Sequence, residues 1–232
     1  MFSLFRAISG LFTPIDNSST FVGLYDDIHV PQEFLWDCGI ATSSMVLRWY
    51  KKTKGEEFID TPLEWEDATP LWTIDLFVFL KNRGVSAVMS TSARGIEPGH
   101  SDIEWYSEHM DKDRERVLHL FKLAEQKGWA IEDPVSTHAL TKALNNEEER
   151  VAIVLINSNN LIPRGGVDQS KYAGHYILLL YYDDTEDEFV YLDPAKSTSC
   201  AKRVSSEALE RSRQSNGTDQ DLILCERLTK RH

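Results

Sequence analysis

The sequence predicts an α+β domain in which N-terminal helices pack on a C-terminal antiparallel sheet. In the first half of the chain, apolar residues recur at helical spacing. From Val151 onward, short apolar runs alternate with turn residues, which is typical of strands. With 232 residues and a hydrophobic fraction of 41%, the chain can build an ordinary core of this class.

The predicted boundary divides a lead-in, residues 1–28, from a single domain over residues 29–232. Within residues 1–12, apolar side chains fall at helical spacing and predict a short amphipathic segment. Docking on the protein's own body is the favoured arrangement, and contact with a membrane surface is the alternative. No apolar run approaches the roughly 18 residues of a membrane span, so no transmembrane segment is predicted.

The first helix is predicted to begin at Cys38, to run to about Lys52 and to use Asp37 as its N-cap. Its buried stripe at helical spacing consists of Ala41, Met45, Val46 and Trp49. A second helix, over 73–82, is expected to stop at Gly84, because glycine commonly ends helices. Residues 85–89 then predict a short strand.

The remaining elements change from helical to strand patterns. A charged helix over 111–127 ends at Gly128, and Ser136 caps a short helix that reaches about Leu144. Further predicted elements are a buried strand over 151–156, a Gly-rich loop over 157–174, hairpin strands over 175–182 and 188–192, a helix over 205–213 and a strand over 222–225.

Charge and cysteine content limit the classes of function. The formal net charge of -12 argues against nucleic-acid binding, because a negative body repels phosphates. Cys38, Cys200 and Cys225 are too few for a disulfide framework and lack the paired spacing of a zinc site. Such a set indicates a reducing compartment, the cytoplasm or also the nucleus. No P-loop, HExxH or EF-hand pattern predicts a metal or a cofactor.

Cys38 is the candidate nucleophile. A helix N-terminus favours a thiolate, because unpaired N–H groups and the helix dipole point at it. Gly39 is expected to leave the backbone open to a substrate carbonyl, and the Gln32 amide is expected to donate to an oxyanion. A small buried hydrophobe is the competing interpretation of this cysteine. His29, close to Gln32, is one candidate for the base.

A stronger candidate for the base is His175, which opens an apolar strand whose partner strand ends at Asp193. If the turn comprises residues 183–185, Tyr182 pairs with Glu186 and His175 lies directly opposite Asp193. Their Cβ atoms would then be about 4.5 to 5.5 Å apart, close enough for the carboxylate to orient the imidazole. If the turn is one or two residues longer, the cross-strand pairing shifts by one or two residues.

Five sequence blocks resemble, in the same order, a eukaryotic family of guanylyl cyclase-domain-containing proteins, which includes the proposed soluble guanylyl cyclases of plants. The blocks span residues 36–50, 72–76, 151–158, 174–183 and 217–223. The resemblance covers roughly residues 28–227. Relatives often have a second cysteine where this chain has Thr42, and many have Asn where it has Asp193.

The Gln…DCG block also resembles bacteriocin-processing cysteine peptidases and, more distantly, papain. This resemblance implies a papain-like cysteine-peptidase fold. It also implies a role for each residue of the site, with Cys38 as nucleophile, His175 as base, Asp193 as the group that orients the base and Gln32 as oxyanion donor. The same four residues are the candidates that the sequence pattern indicates.

Three hypotheses of function follow. The leading one is a thiol-dependent hydrolase or acyltransferase with a Cys-His-Asp triad, acting on a peptide, protein or acyl substrate at a peptide or isopeptide bond. The alternative that the family resemblance implies is a guanylyl cyclase, which would convert GTP to cyclic GMP with magnesium. The third is a non-catalytic binding module on the same fold.

Overall fold

The computed structural model describes residues 25, 27–54, 63, 65, 71–96, 110–145, 150–161, 171–197 and 200–227. The helices of this part are α1 (Cys38–Lys54), α2 (Thr73–Asn82), α3 (Met110–Gln126), α4 (Thr137–Leu144), α5 (Ser158–Leu161) and α6 (Ser206–Arg213). The strands are β1 (Ser86–Ser90), β2 (Ile131–Glu132), β3 (Arg150–Asn157), β4 (Gly174–Asp183), β5 (Glu188–Leu192), β6 (Lys202–Ser205) and β7 (Leu222–Glu226).

The strands form one sheet in the order β2-β1-β7-β3-β4-β5-β6. Every neighbouring pair is antiparallel except β1 with β2, which is parallel. The predicted α+β class is therefore confirmed. The sheet is not built only from the C-terminal part, however, because β1 and β2 extend one edge with segments from the first 132 residues.

Helices cover both faces of the sheet. One apolar cluster includes Trp49 of α1, Leu76 of α2 and Val117 of α3, and a second includes Leu140 of α4 and Leu209 of α6. Alternate residues of β4 enter the two clusters, which explains why this strand is a continuous apolar run in the sequence. The two-faced burial holds β4 firmly in the middle of the molecule.

The helix ends agree with the sequence signals. Ser136 accepts a hydrogen bond from the Ala139 N–H at 3.2 Å and so caps α4 as predicted. Gly84 and Gly128 have φ values of 77° and 64°, a left-handed conformation that glycine adopts without strain. Within the described residues, the predicted helices and strands are all present, with ends that differ by at most two residues.

Three short elements, β2, α5 and β6, were not predicted, because two to four residues are too few to show a period. The predicted Gly-rich loop contains α5, and residues 162–170 of that loop lie outside the described part. The amphipathic segment predicted over residues 1–12 also lies outside it. Of the lead-in, Tyr25 and Ile28 are buried in the core. Among the described helices, none has the length and apolar character needed to cross a membrane.

Candidate active site

Cys38 is the first residue of α1. The helix starts there because the Ala41 N–H donates to the Asp37 carbonyl oxygen at 3.0 Å, which closes the first turn. The Cys38 N–H therefore belongs to the group of helix donors that have no partner within the helix. The residue is only 7% exposed, so access to its thiol is narrow.

The side chain of Asp37 has a different role from the predicted N-cap. Its carboxylate accepts hydrogen bonds from the N–H groups of Glu33 at 3.0 Å and Phe34 at 3.1 Å. These donors precede the helix, so the side chain holds the loop over residues 32–37 and does not cap the first turn. The loop gains a fixed backbone immediately before Cys38.

Gly39 was expected to leave the backbone open to a substrate carbonyl, but the structure gives it a different role. A Cβ atom at this position would lie 3.1 Å from Leu76 of α2 and 3.2 Å from Tyr176 of β4. The space that the missing side chain leaves is thus filled by the protein and is not open to a substrate. A side chain at this position would press on both elements, because α1 packs closely against them.

The β4–β5 hairpin has a longer turn than predicted. Residues 184–187 form the turn, and Tyr182 pairs with Phe189, three residues beyond the predicted partner. Side chains alternate between the faces of a sheet, so a shift by an odd number reverses the faces. The longer turn alone would therefore put His175 and Asp193 on opposite faces.

A β-bulge at Leu180 corrects this shift by one residue. Beyond the bulge Leu178 pairs with Leu192, so the net displacement from the predicted register is two residues. An even displacement returns His175 and Asp193 to the same face, in diagonal positions rather than directly opposite each other. The imidazole Nε2 lies 2.9 Å from the Asp193 Oδ1.

The environment of His175 favours its charged form. Burial by itself would lower the pKa of His175, but the hydrogen bond to Asp193 and the interaction with Cys38 outweigh it and raise the pKa to about 9. The Cys38 thiol is within hydrogen-bonding reach of the imidazole. Since Asp193 occupies Nε2, Nδ1 is the ring nitrogen left for the thiol. At neutral pH a protonated imidazole is held beside the thiol, which is how cysteine nucleophiles are activated.

Asp193 is held as a carboxylate by several donors. Burial by itself would raise the pKa of Asp193, but hydrogen bonds from His175 and Lys202 hold it well below its usual range. Lys202 Nζ donates to Oδ2 at 2.7 Å, and the Ala195 N–H donates to Oδ1 at 3.0 Å. Lys202 was not predicted, because β6 is too short to show a pattern. It reaches the site because it pairs with Tyr191, two residues before Asp193.

Two hydrogen bonds fasten the segment before Cys38 to the residues after β5. His29 Nε2 donates to the backbone oxygen of Asp193 at 3.2 Å, and the Gln32 N–H donates to the Pro194 oxygen at 2.8 Å. His29, a candidate base from the sequence, therefore contacts the backbone of Asp193. The imidazole that meets Cys38 belongs to His175.

The Gln32 amide was predicted to donate a hydrogen bond to an oxyanion, but in the structure it donates to a backbone oxygen of its own loop. Its Nε2 donates to the Phe34 carbonyl oxygen at 2.5 Å, and among the described residues its buried Oε1 has no hydrogen-bond partner. A side-chain amide nitrogen carries two N–H groups, so one remains for a further acceptor. The role of Gln32 as oxyanion donor thus stays a prediction.

The other two cysteines have unlike environments. Cys200 is exposed, whereas Cys225 is buried, and burial raises the pKa of Cys225 to about 12. All three cysteines are free. Among the described residues, no group of three or more His, Cys, Asp and Glu side chains is placed to hold a metal ion.

Comparisons with known proteins identify relatives of this chain. Residues 28–225 match the family model described as guanylylate cyclase. The chain is 34% identical over 206 residues to Guanylyl cyclase 1 of Arabidopsis thaliana, covering 84% of the chain and 74% of that relative. It is also similar to a crystal structure described as a C39-like peptidase from Bacillus anthracis, with a TM-score of 0.49 and 13% identity. That match covers 88% of this chain and 97% of the other.

Proposed function

This chain belongs to the guanylylate cyclase family, and we propose that it acts as a thiol-dependent hydrolase or acyltransferase on a peptide, isopeptide or related acyl bond. One observation carries the proposal. The imidazole of His175 is hydrogen-bonded to the Asp193 carboxylate and also interacts with Cys38, which begins a helix. A nucleophile, a base and a group that orients the base are the parts that covalent acyl chemistry needs.

In the proposed reaction, the Cys38 sulfur attacks the carbonyl carbon of the substrate and a C–S bond forms. The resulting oxyanion accepts hydrogen bonds from the Cys38 backbone N–H and from the Gln32 amide. When the C–N bond breaks, the leaving amine takes a proton from His175. Water or another acyl acceptor then attacks the thioester, gives its proton to His175 and releases the thiolate.

The experiment compares labelling of Cys38 with labelling of Cys200 in one protein. Because Cys38 is narrowly accessible, a small electrophile such as iodoacetamide is used at pH 7, with mass spectrometry of each cysteine peptide. We expect Cys38 to react at least about tenfold faster than exposed Cys200, since a charged imidazole beside a cysteine activates it as a nucleophile. An equal or slower rate would overturn the proposal.

Substrate class is then tested with short-peptide and ubiquitin-like probes that carry a thiol-reactive group. The Cys38→Ala variant should abolish labelling, whereas the matched Cys200→Ala variant should retain it. Hydrolysis of the corresponding peptide and thioester substrates is followed with the same pair of variants. Rapid thiol labelling without turnover of any substrate would instead support the binding module.

A guanylyl cyclase is the second candidate, and the names of the family model and of the plant relative favour it. The magnesium that such a reaction uses would need oxygen ligands. Among the described residues, no group of three or more His, Cys, Asp and Glu side chains is placed to supply them. Cyclic GMP formed from GTP and magnesium by the purified protein, and equally by Cys38→Ala, would replace the thiol reaction as the main activity.

A further inference from the structure

The loop that joins Gln32 to Cys38 presents an exposed apolar surface. Phe34 is 56% exposed and Leu35 is 90% exposed, and we call these two side chains the apolar lip. In the described part of the chain, the only other exposed large apolar side chain is Leu118. A single exposed leucine is ordinary, but two adjacent apolar side chains in the loop before the candidate nucleophile indicate a binding surface.

The backbone under the apolar lip is fixed. The Asp37 carboxylate binds the N–H groups of Glu33 and Phe34, and the Gln32 amide binds the Phe34 carbonyl oxygen. The ring of Phe34 stacks on Trp36 with centroids 5.5 Å apart and an interplanar angle of 7°. One face of the Phe34 ring therefore packs against the protein. Because the loop is already ordered, little of the binding free energy of a ligand is spent on ordering it.

The charges near the apolar lip limit its occupant. Glu33 is exposed within the same loop, and the whole chain carries a formal net charge of -12. An acidic group would be repelled there, whereas an uncharged apolar group would bury the two side chains. Leu35 is only three residues from Cys38, so the apolar lip belongs to the loop that leads directly to the thiol.

We propose that the apolar lip binds a large uncharged apolar side chain of the substrate, on the residue that neighbours the carbonyl attacked by Cys38. This inference rests on the proposed function and names its substrate class. Substrates with leucine or phenylalanine beside the reacting carbonyl would be preferred over substrates with glycine or glutamate at that position.

The test uses dipeptide vinyl sulfones that differ only in the residue beside the reactive group, namely leucine, glycine or glutamate. The second-order labelling rate of Cys38 is measured for each probe by mass spectrometry. We expect the leucine probe to react at least about tenfold faster than the glycine probe, and the glutamate probe to be slowest. In the double variant Phe34→Ser, Leu35→Ser, the leucine-to-glycine ratio should fall towards one.

The matched control is Leu118→Ser, which removes an exposed apolar side chain from α3 and should leave the ratio unchanged. Thermal melting verifies that each variant is folded. A reactive Cys38 with no leucine preference, or a preference that survives in the double variant, would overturn this inference and leave the proposed function standing. If Cys38 reacts no faster than Cys200 with iodoacetamide, the proposed function itself fails. Self-association that the double variant abolishes, without a probe preference, would assign the apolar lip to a second copy of the chain.

Discussion

Replacing Asp193 with Asn tests the source of the charge on His175. The rise of the His175 pKa from 6.5 to about 9 corresponds to about 3 kcal/mol, at about 1.36 kcal/mol for each pH unit. Asparagine can still accept the hydrogen bond from the imidazole but carries no charge. Loss of a neighbouring carboxylate should lower the pKa of His175 by roughly 1 to 2 pH units, while burial, which opposes the charged form, remains.

The assay follows the imidazole proton signals of histidine-labelled protein by NMR across pH 5 to 10. The variant His175→Gln identifies the signal among the seven histidines. Asp184→Asn is the matched control, because it removes an exposed carboxylate from the turn at the far end of β4, roughly 30 Å along the strand. A His175 pKa that stays near 9 in Asp193→Asn, or falls equally in Asp184→Asn, would refute the assignment of Asp193 as its partner.

Three further outcomes are expected. The raised pKa of His175 means that the folded protein holds the imidazole proton more tightly than the unfolded chain does. The free energy of unfolding should therefore fall by up to about 3 kcal/mol as the pH rises from 6.5 to 9. Urea titrations should show this loss in the wild type and not in His175→Gln. Gly39→Ala should cost roughly 1 to 3 kcal/mol in the same titrations, because its Cβ meets side chains of α2 and β4, and an unchanged midpoint would contradict the packing. Lys202→Met should raise the pKa of His175 further, since the charge of Asp193 is then balanced by His175 alone, and a lower value would show that Lys202 acts in another way.

The sequence indicated three residues that the structure brings together, Cys38, His175 and Asp193. Cys38 follows a helix-start signal, and His175 and Asp193 stand at the ends of paired apolar strands. Such signals are local, because a cap or an apolar run needs only a few neighbouring residues. Lys202 carries no comparable signal, since it acts through a short strand on the neighbouring edge of the sheet.

The orientations of side chains at the site were predicted less well than their positions. The N-cap prediction for Asp37 assumed the usual donors within the helix, but the carboxylate found donors in the preceding loop. The prediction for Gly39 considered only backbone exposure, whereas the close packing of α1 on Leu76 and Tyr176 determines the residue. In both cases the deciding partner comes from tertiary packing, which a local pattern does not contain.

The hairpin shows why face, rather than register, is the property that matters for the His175–Asp193 pair. A prediction that corrected only the turn would have shifted the strands by three residues and separated the two side chains across the sheet. A prediction that included only the bulge at Leu180 would have shifted them by one residue, with the same result. The structure contains both deviations, which together shift the strands by two residues. This even shift keeps His175 and Asp193 on one face and hydrogen-bonded, although no cross-strand pair has its predicted register. The bulge is therefore part of the candidate site, because it determines that the carboxylate and the imidazole share a face.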